Sequence, residues 1–376
     1  MYPINLKNLP DGFELIDDKI KFDPNKHLQL EKPSEIFSLK NFGYSEKDIK
    51  ESPVNFATTS VFRVLSDEGC EALLDVSRKL EKFTTSSPRI SRNVRGGVYR
   101  SRFLRDLCLS DEVSLFLSDI AGISLSPHTI PHQLGHINFN PLELEKNIDK
   151  WHVDTLTFDY VLFVTDPKKN DGGEFQYFFG TKDEMAELKK NSKKIPKNKI
   201  VTPEIPGPGF AVFQQGKHVV HRAKGLTSPG ERITLVNGYM PSDPEINDYT
   251  KFGELCNVDP MEIISKEFTN HTAAQVKKLL NEKILERNFK EGEELLIPEE
   301  LFTGSLRAGN STQIYFKLNG DIFGPLSSSN SVVKNFLLDP LAIKKQLLLI
   351  KKEGDLFKSI KEKNAQGLST AKRNNE

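Results

Sequence analysis

Short runs of β-forming residues alternate with turn signals between about residues 128 and 240. The runs are 136–140, 158–164, 174–179, 209–213, 218–221 and 232–239. Glycine and proline clusters separate several of them, at 171–173, 206–209 and 228–230. Many short strands with such turns predict a β-sandwich or barrel, a class that includes jelly rolls.

Helical patterns flank and interrupt this β-rich stretch. A strand predicted at 62–65 leads to Ser66, a plausible N-cap for a helix. Cys70, Leu73, Leu74 and Leu80 then follow at helical spacing. The lysine-rich stretch 182–199 predicts a mostly helical insertion between two strands.

The hydrophobic pattern changes again after Met240. Thr272 and Gln275 form a capping-box pattern ahead of an apolar helical face. Residues 314–318 and 321–323, joined by Asn319-Gly320, predict a hairpin with a type I′ turn, and 341–350 predicts a further helix. We therefore divide the chain into an irregular N-terminal arm (1–55), a β-rich domain (56–240), a mostly helical region (241–360) and a disordered tail (361–376).

Composition excludes several classes of protein. Lys plus Arg and Asp plus Glu both number 52, so the net charge is zero, which disfavours a nucleic-acid partner. Three scattered cysteines argue against a disulfide scaffold and a thiolate zinc site. The N-terminus lacks a signal-peptide pattern and no stretch has the length of a membrane span. We expect a cytoplasmic protein without a membrane partner.

Histidine is concentrated in the β-rich stretch, where six of the eight lie: 128, 132, 136, 152, 218 and 221. On a strand, His152 and Asp154 would point to the same face and offer two adjacent metal ligands; alternatively, they form a hydrogen-bonded surface pair. His218 and His221 are candidates for a third ligand. Their odd separation places them on opposite faces of a strand, and we favour His221.

Two further histidine and arginine patterns have simple structural interpretations. The spacing of four between His128, His132 and His136 suggests metal ligation on a helix, but prolines at 127 and 131 oppose a helix and favour a structural role. Residues 88–105 hold six arginines. They form either a solvated loop or a wall whose arginines bind an anionic substrate group.

Two histidines and one carboxylate form the facial triad of non-haem Fe(II) oxygenases, which leaves three metal positions open. A chelating cosubstrate with a distant carboxylate also needs a cation. Arg232 follows His221 by 11 residues across a Ser-Pro-Gly turn, so we expect it on the neighbouring antiparallel strand. Thr234 would share its face and add a hydroxyl group.

These motifs resemble those of the 2-oxoglutarate/Fe(II)-dependent oxygenases. His152-x-Asp154, His221 and Arg232-x-Thr234 carry the resemblance, and 171–175 and 230–235 look like the prolyl-4-hydroxylase-type branch. It covers about 130–240. It implies a mainly β fold with α-helices, namely a double-stranded β-helix (jelly-roll) core flanked by helices, so that 56–240 would be the oxygenase domain.

The resemblance also implies roles for individual residues. His152, Asp154 and His221 would bind Fe(II), while Arg232 and Thr234 would bind the far carboxylate of 2-oxoglutarate. Asn138 or His136 would reach its near carboxylate. Halogenases of this superfamily have Gly or Ala in place of the ligand carboxylate, so Asp154 argues against halogenation.

The expected reaction uses O2 and 2-oxoglutarate, releases succinate and CO2, and hydroxylates, desaturates or cyclises a substrate. We expect a small molecule that can carry a carboxylate, such as an amino acid or natural-product intermediate. The alternatives are a peptidyl or protein hydroxylase and a non-catalytic β-barrel binding module. A cupin-type Zn or Mn enzyme would more often show a His-x-His pair, which is absent. The sequence does not define the oligomeric state.

Overall fold

Antiparallel pairing joins the strands throughout the β-rich part of the computed structural model. The structure describes residues 4, 6, 10–87, 90–285, 305–308, 311–318 and 321–327.

The strands are β1 (Ile36–Phe37), β2 (Thr58–Thr59), β3 (Phe62–Arg63), β4 (Asn93–Val94), β5 (Leu125–Pro127), β6 (His136–Phe139), β7 (Asp149–His152), β8 (Phe158–Phe163), β9 (Phe175–Phe178), β10 (Ile200–Val201), β11 (Phe210–Gln214), β12 (His221–Ala223), β13 (Ile233–Pro241), β14 (Ser305–Ala308), β15 (Ser311–Leu318) and β16 (Asp321–Ser327).

The α-helices are α1 (Pro24–His27), α2 (Glu46–Glu51), α3 (Asp67–Leu80), α4 (Arg102–Cys108), α5 (Asp111–Ala121), α6 (Lys182–Lys190), α7 (Phe252–Leu255) and α8 (Met261–Leu285). Short 3-10 helices lie at Leu39–Phe42, Glu81–Phe83, Gly97–Tyr99, Pro131–Gln133, Pro167–Lys169 and Lys197–Lys199.

Two sheets carry the β-rich region. The main sheet has the order β1-β2-β11-β8-β13-β6-β4, with β3 also paired to β11 and β5 to β13. The smaller sheet has the order β10-β9-β12-β7. The fold is thus mostly antiparallel sheet with helices, in agreement with the coarse prediction from the sequence.

Alternation along the main sheet builds two hydrophobic cores. On β8, Val161 and Phe163 join a buried cluster with Phe175 and Tyr177 of the smaller sheet, so this cluster lies between the sheets. The intervening residue, Leu162, joins a second cluster that includes side chains of α3, α4 and α5. Successive strand residues point to opposite faces, so one strand contributes to both cores.

Most predicted strands have an observed counterpart. The prediction at 158–164 corresponds to β8 and the one at 232–239 to β13, with end shifts of one or two residues. The insertion predicted at 182–199 contains α6 and lies between β9 and β10. Ser66 is the N-cap of α3, where its hydroxyl accepts a hydrogen bond of 3.0 Å from the backbone N–H of Gly69.

The chain divides into two compact units, residues 1–264 and 265–376. In the second unit, β15 pairs with both β14 and β16. The pairing of Leu318 with Asp321 agrees with the predicted hairpin, whose two turn residues lie outside the described residues. The helix predicted at 341–350 and the tail at 361–376 also lie outside them, and our four-part division of the chain stays a prediction.

The predicted helix start at Thr272 is wrong. Helix α8 begins at Met261, directly after Pro260, so Thr272 lies inside the helix. Its hydroxyl donates to the carbonyl of Phe268, one turn earlier, at 3.0 Å. A serine or threonine within a helix commonly makes this bond. The Thr-x-x-Gln pattern alone does not show whether the threonine lies inside a helix or at its N-cap.

Among the described residues, no helix is both long and apolar enough to cross a membrane.

Loss of the Ser66 cap should destabilise the first unit. We expect Ser66→Ala to lower the free energy of unfolding by about 1 kcal/mol, because the N–H of Gly69 loses its acceptor. The readout is urea denaturation followed by the fluorescence of Trp151, the single tryptophan. Ser66→Asp keeps the acceptor but loses the bond that the Ser66 hydroxyl donates to the carbonyl of Lys26, so it should recover part of the loss. Equal midpoints for wild type and Ser66→Ala would contradict the assignment.

Candidate metal centre

His152 and His221 face each other across two neighbouring strands. His152 ends β7, His221 begins β12, and the two are paired in the antiparallel register. Their ring centroids are 4.2 Å apart. Because directly opposed residues place their side chains on the same face, pairing of the strands is what brings the two imidazoles together.

Asp154 reaches the same place by a route that differs from our prediction. The strand ends at His152, so Asp154 is not its next inward residue. Instead, the backbone N–H of Asp154 donates to the carbonyl of Gly216 at 2.8 Å. This bond ties the segment after β7 to the loop after β11.

The three side chains converge on one point. The Nε2 atoms of His152 and His221 lie 3.2 Å from Oδ1 and 3.2 Å from Oδ2 of Asp154, respectively. Adjacent ligands that each lie ~2.1 Å from a metal are ~3.0 Å apart when their bonds are perpendicular. His152, Asp154 and His221 form a group that could hold a metal ion.

Backbone carbonyls fix the orientation of both imidazoles. The Nδ1 atom of His152 lies 2.6 Å from the carbonyl of Lys150, and that of His221 lies 3.0 Å from the carbonyl of Val219. A carbonyl accepts only from a protonated nitrogen, so each Nδ1 carries the proton and each Nε2 presents its lone pair. Such contacts typically orient metal-binding histidines.

Arg232 lies inside the protein, but on a different sheet from the one we predicted. It immediately precedes β13 of the main sheet, whereas His221 belongs to the smaller sheet. The intervening chain crosses between sheets instead of forming a hairpin. The Arg232 guanidinium donates to the carbonyl of Gly173 at 2.6 Å and to Oγ1 of Thr234 at 3.3 Å.

Burial leaves the charge of Arg232 with little compensation. The residue is 2% exposed, and among the described residues no carboxylate lies within 4.0 Å of its guanidinium. Burial lowers the pKa of Arg232 to about 10, and the more distant Glu174 opposes this shift. A buried cation is costly unless an anion accompanies it, so this position is suited to an anionic ligand.

Asn138 lies opposite Thr234 in the pairing of β6 with β13. It is buried, and within the described part of the chain its Oδ1 atom has no hydrogen-bond partner. His136, the alternative in the sequence analysis, instead contacts Nη1 of Arg95 through its Nδ1 atom at 2.8 Å. Of the two, Asn138 therefore lies beside the arginine–threonine pair.

His218 has a different environment from His221. Its ring packs against Tyr44 with centroids 5.5 Å apart, and its backbone carbonyl accepts a hydrogen bond from the Tyr44 hydroxyl. Burial, reinforced by the nearby Lys182, lowers the pKa of His218 to about 4. The structure thus brings His221, and not His218, to Asp154.

A pocket of about 480 Å³ opens in front of Asp154. Its wall combines apolar and charged side chains: Arg95, Gln133, His136, Val153, Thr155, Leu156, Asp159, Lys217, Val236, Glu254, Leu255, Asn257 and Val258. Four of these residues come from the segment 254–258, which follows the last strand of the main sheet. That segment therefore supplies one wall of the pocket.

Arg95 is the arginine of the 88–105 segment that lines this pocket. Its guanidinium binds both carboxylate oxygens of Asp259, at 2.8 and 2.7 Å. Burial acts to raise the pKa of Asp259, but Arg95 and His132 outweigh it and hold that pKa well below its usual range. A second pair joins Lys217 to Glu254 at 2.6 Å. The wall arginine is thus already engaged by a carboxylate.

Sequence reasoning missed several residues of this region. Asp159 lies in the otherwise apolar β8, and Gln214 ends the apolar β11. A polar residue within a buried strand was the signal that could have identified them, because such a residue is costly without a partner. Glu254 and Asp259 carried no such signal, since acidic residues near helices are common on surfaces.

Residues 44–251, more than half of the chain, match the family model described as "HalD: Halogenase D". No curated protein matches the sequence.

Solved structures of non-haem oxygenase-like enzymes resemble the fold at low sequence identity. The α-ketoglutarate-dependent carbocyclase SnoK from nogalamycin biosynthesis is 19% identical, covers 61% of this chain and 95% of its own, and gives a TM-score of 0.41. HygX from Streptomyces hygroscopicus, with nickel, 2-oxoglutarate and hygromycin B bound, is 14% identical (53% and 88% covered, TM-score 0.34). EctD from S. alaskensis with bound Fe is 12% identical (58% and 82% covered, TM-score 0.37).

Titration of His218 should make the protein less stable in mild acid. Between pH 6.5 and 4 the unfolded chain takes up a proton that the folded chain refuses, so stability falls as the pH falls through this window and then levels off. We expect a contribution of up to about 3 kcal/mol. Urea denaturation at several pH values should show a shallower pH dependence for His218→Gln. Identical slopes would refute this prediction.

Proposed function

The chain belongs to the halogenase D family, and we propose that it is an Fe(II)- and 2-oxoglutarate-dependent oxygenase that hydroxylates a small molecule. The observation that carries the proposal is the convergence of two imidazole Nε2 atoms on the carboxylate of Asp154, at the edge of a pocket.

The donor set fits Fe(II). His152, Asp154 and His221 would hold it from one side, since both nitrogens are oriented and the carboxylate lies between them. Two histidines and a carboxylate with open positions are typical of non-haem Fe(II) oxygenases. The two-sheet arrangement supports a double-stranded β-helix, with the metal between the sheets. The prolyl-4-hydroxylase-type branch stays a prediction.

The surroundings of Arg232 fit 2-oxoglutarate. The far carboxylate would pair with the Arg232 guanidinium and accept from the Thr234 hydroxyl, which would compensate a buried charge. Asn138 lies opposite Thr234, and its Nδ2 amide would donate to the near carboxylate. Bidentate pairing of arginine with a carboxylate would also fix the direction of the cosubstrate.

When bound, Fe(II), 2-oxoglutarate and O2 supply the oxidising power, with succinate and CO2 as coproducts. The chain's own residues would bind the metal and the cosubstrate and orient them. Arg232 would neutralise the far carboxylate of the cosubstrate, the two carbonyl-bound imidazoles keep their ligand atoms fixed, and the 254–258 segment forms one wall of the pocket.

A small molecule is the substrate class that the pocket favours. Its volume of about 480 Å³ lies within the usual range for small-molecule sites, and the 254–258 segment closes one side. A peptide would need an open groove. The mixed polar wall suits an amino acid or a natural-product intermediate. A substrate carboxylate would have to displace Asp259 to reach Arg95.

Halogenation is the second candidate, because the family is described by that activity. Coordination counts against it. Six positions around Fe(II) would be filled by three protein ligands, two atoms of 2-oxoglutarate and O2. A halide would need the position that Asp154 takes, so we propose oxygen insertion and not halogenation.

Binding of 2-oxoglutarate to the Fe(II)-loaded protein under argon is the first test. We expect a metal-to-ligand charge-transfer band, and succinate once O2 is added. Asp154→Ala, which removes one of the three candidate ligands, should weaken the band and lower succinate formation. Arg232→Gln should weaken 2-oxoglutarate binding about 100-fold or more, because a buried charge pair is lost.

Arg63→Gln is the matched control, since Arg63 is also partly buried but pairs with Asp67 and does not line the pocket. It should bind 2-oxoglutarate like the wild type. A wild-type protein that gives neither the band nor succinate would refute the oxygenase proposal and favour a non-catalytic binding module.

Chloride tests the choice between oxygen insertion and halogenation. With Asp154 in place, we expect chloride to leave the charge-transfer band and the 2-oxoglutarate affinity unchanged. Asp154→Gly, which vacates one position, should respond to chloride if it retains the metal. Competition between chloride and azide, followed by absorption, provides the check. A chloride-dependent shift in the wild-type band would instead support halogenation.

A further inference from the structure

A second carboxylate lies close to the candidate metal ligands. Asp159, at the start of β8, is 1% exposed and lines the same pocket as Asp154. A Cβ atom built on Gly216 would lie 2.1 Å from Oδ2 of Asp159 and 2.8 Å from Oδ2 of Asp154. The two carboxylate oxygens are therefore within about 5 Å of each other, and only a glycine leaves room for both.

The side chain of Gln214 contacts Asp159 and two of the three candidate ligands, Asp154 and His221. Its Nε2 atom donates to Oδ1 of Asp159 at 3.0 Å and is 3.5 Å from Oδ2 of Asp154. The same nitrogen lies beside the His221 ring, 3.2 Å from its Nδ1 atom and 3.3 Å from its Nε2 atom. Gln214 is fully buried, and the pairing of β11 with β8 places it directly opposite Asp159.

These contacts place the Gln214 amide between two neighbouring carboxylates. Asp154 belongs to the group of three side chains that could hold a metal ion, and Asp159 does not. An ionised carboxylate near a metal either coordinates it or needs another donor. The Gln214 amide supplies that donor to Asp159 without adding a charge. The NH2 end of the Gln214 amide faces the two carboxylates. Its carbonyl oxygen, the atom that could coordinate a metal, is therefore turned away from them.

We propose that Gln214 is a positioning residue that holds Asp159 off the metal and so preserves three open coordination positions. The inference rests on the proposed function, because those positions are the ones that 2-oxoglutarate and O2 would use. Without Gln214, Asp159 would become a fourth protein ligand. The metal would then bind more tightly and 2-oxoglutarate more weakly.

Tighter metal binding together with weaker 2-oxoglutarate binding distinguishes a positioning role of Gln214 from simple structural support. A variant that only loosens the site would weaken metal and cosubstrate binding together. Gln214→Met keeps the length of the side chain but cannot donate. We expect Gln214→Met to bind Mn(II) more tightly and 2-oxoglutarate about tenfold more weakly. Electron paramagnetic resonance of the free ion measures the Mn(II) affinity.

Water-proton relaxation of the Mn(II)-loaded protein reports the open positions directly. The wild type should retain about three exchangeable waters on the metal, and Gln214→Met about two. Relaxivity should fall by roughly one third. The double variant Gln214→Met/Asp159→Asn should return to the wild-type relaxivity and 2-oxoglutarate affinity, because the neutral amide that replaces the Asp159 carboxylate is a poorer metal ligand.

Control variants keep the test independent of folding. Gln29→Met makes the same exchange at an exposed position and should match the wild type in all three measurements. If Gln214→Met does not fold, as judged by Trp151 fluorescence, Gln214→Asn replaces it, because its amide is one methylene too short to bridge the carboxylates.

Two outcomes would overturn the inference. One is a relaxivity of Gln214→Met that equals that of the wild type. The other is a relaxivity of the double variant that stays as low as that of Gln214→Met. Both concern Mn(II) and water, so they can be judged even if 2-oxoglutarate does not bind to the wild type. Absence of 2-oxoglutarate binding would refute the proposed function instead.

Discussion

The pairing of β7 with β12 is the constraint on which the rest of the site depends. It sets His152 directly opposite His221 and so decides which of two nearby histidines, His218 or His221, reaches Asp154. If either strand shifted by one residue, its histidine would turn to the other face of the sheet and the two rings would no longer meet. There, Trp151 and Arg222 already stack, with the guanidinium 4.6 Å from the ring centroid. That stack favours the observed register.

The main sheet contributes a different kind of constraint, namely a buried charge. Arg232 enters at the start of β13, where Gly173 accepts its Nε proton and Phe163 lies beneath the guanidinium at 5.3 Å. The positive φ of Gly173, +74°, allows the backbone to approach so closely, and a Cβ there would come within 3.0 Å of the arginine side chain. The Gly-Gly turn thus helps to hold the Arg232 side chain in its buried position.

Local patterns in the sequence predicted the elements well but not their long-range relations. Alternation and turn residues identified β8 and β13, and the side-chain chemistry of Ser66 identified a helix start. The same local logic failed for Asp154, whose position depends on a bond to Gly216 about 60 residues away. It also placed Arg232 on the wrong sheet, because a turn signal does not reveal whether the chain returns to the same sheet.

One wall of the pocket comes from a different part of the chain than β7 and β12, the strands that carry His152 and His221. Residues 254–258 follow the last strand of the main sheet, and ion pairs of Lys217 with Glu254 and Arg95 with Asp259 hold this stretch in place. Replacing it would change what the cavity admits without moving His152 or His221. The shape of the cavity can therefore change through one peripheral segment, while the strand pairing that places His152 opposite His221 stays as it is.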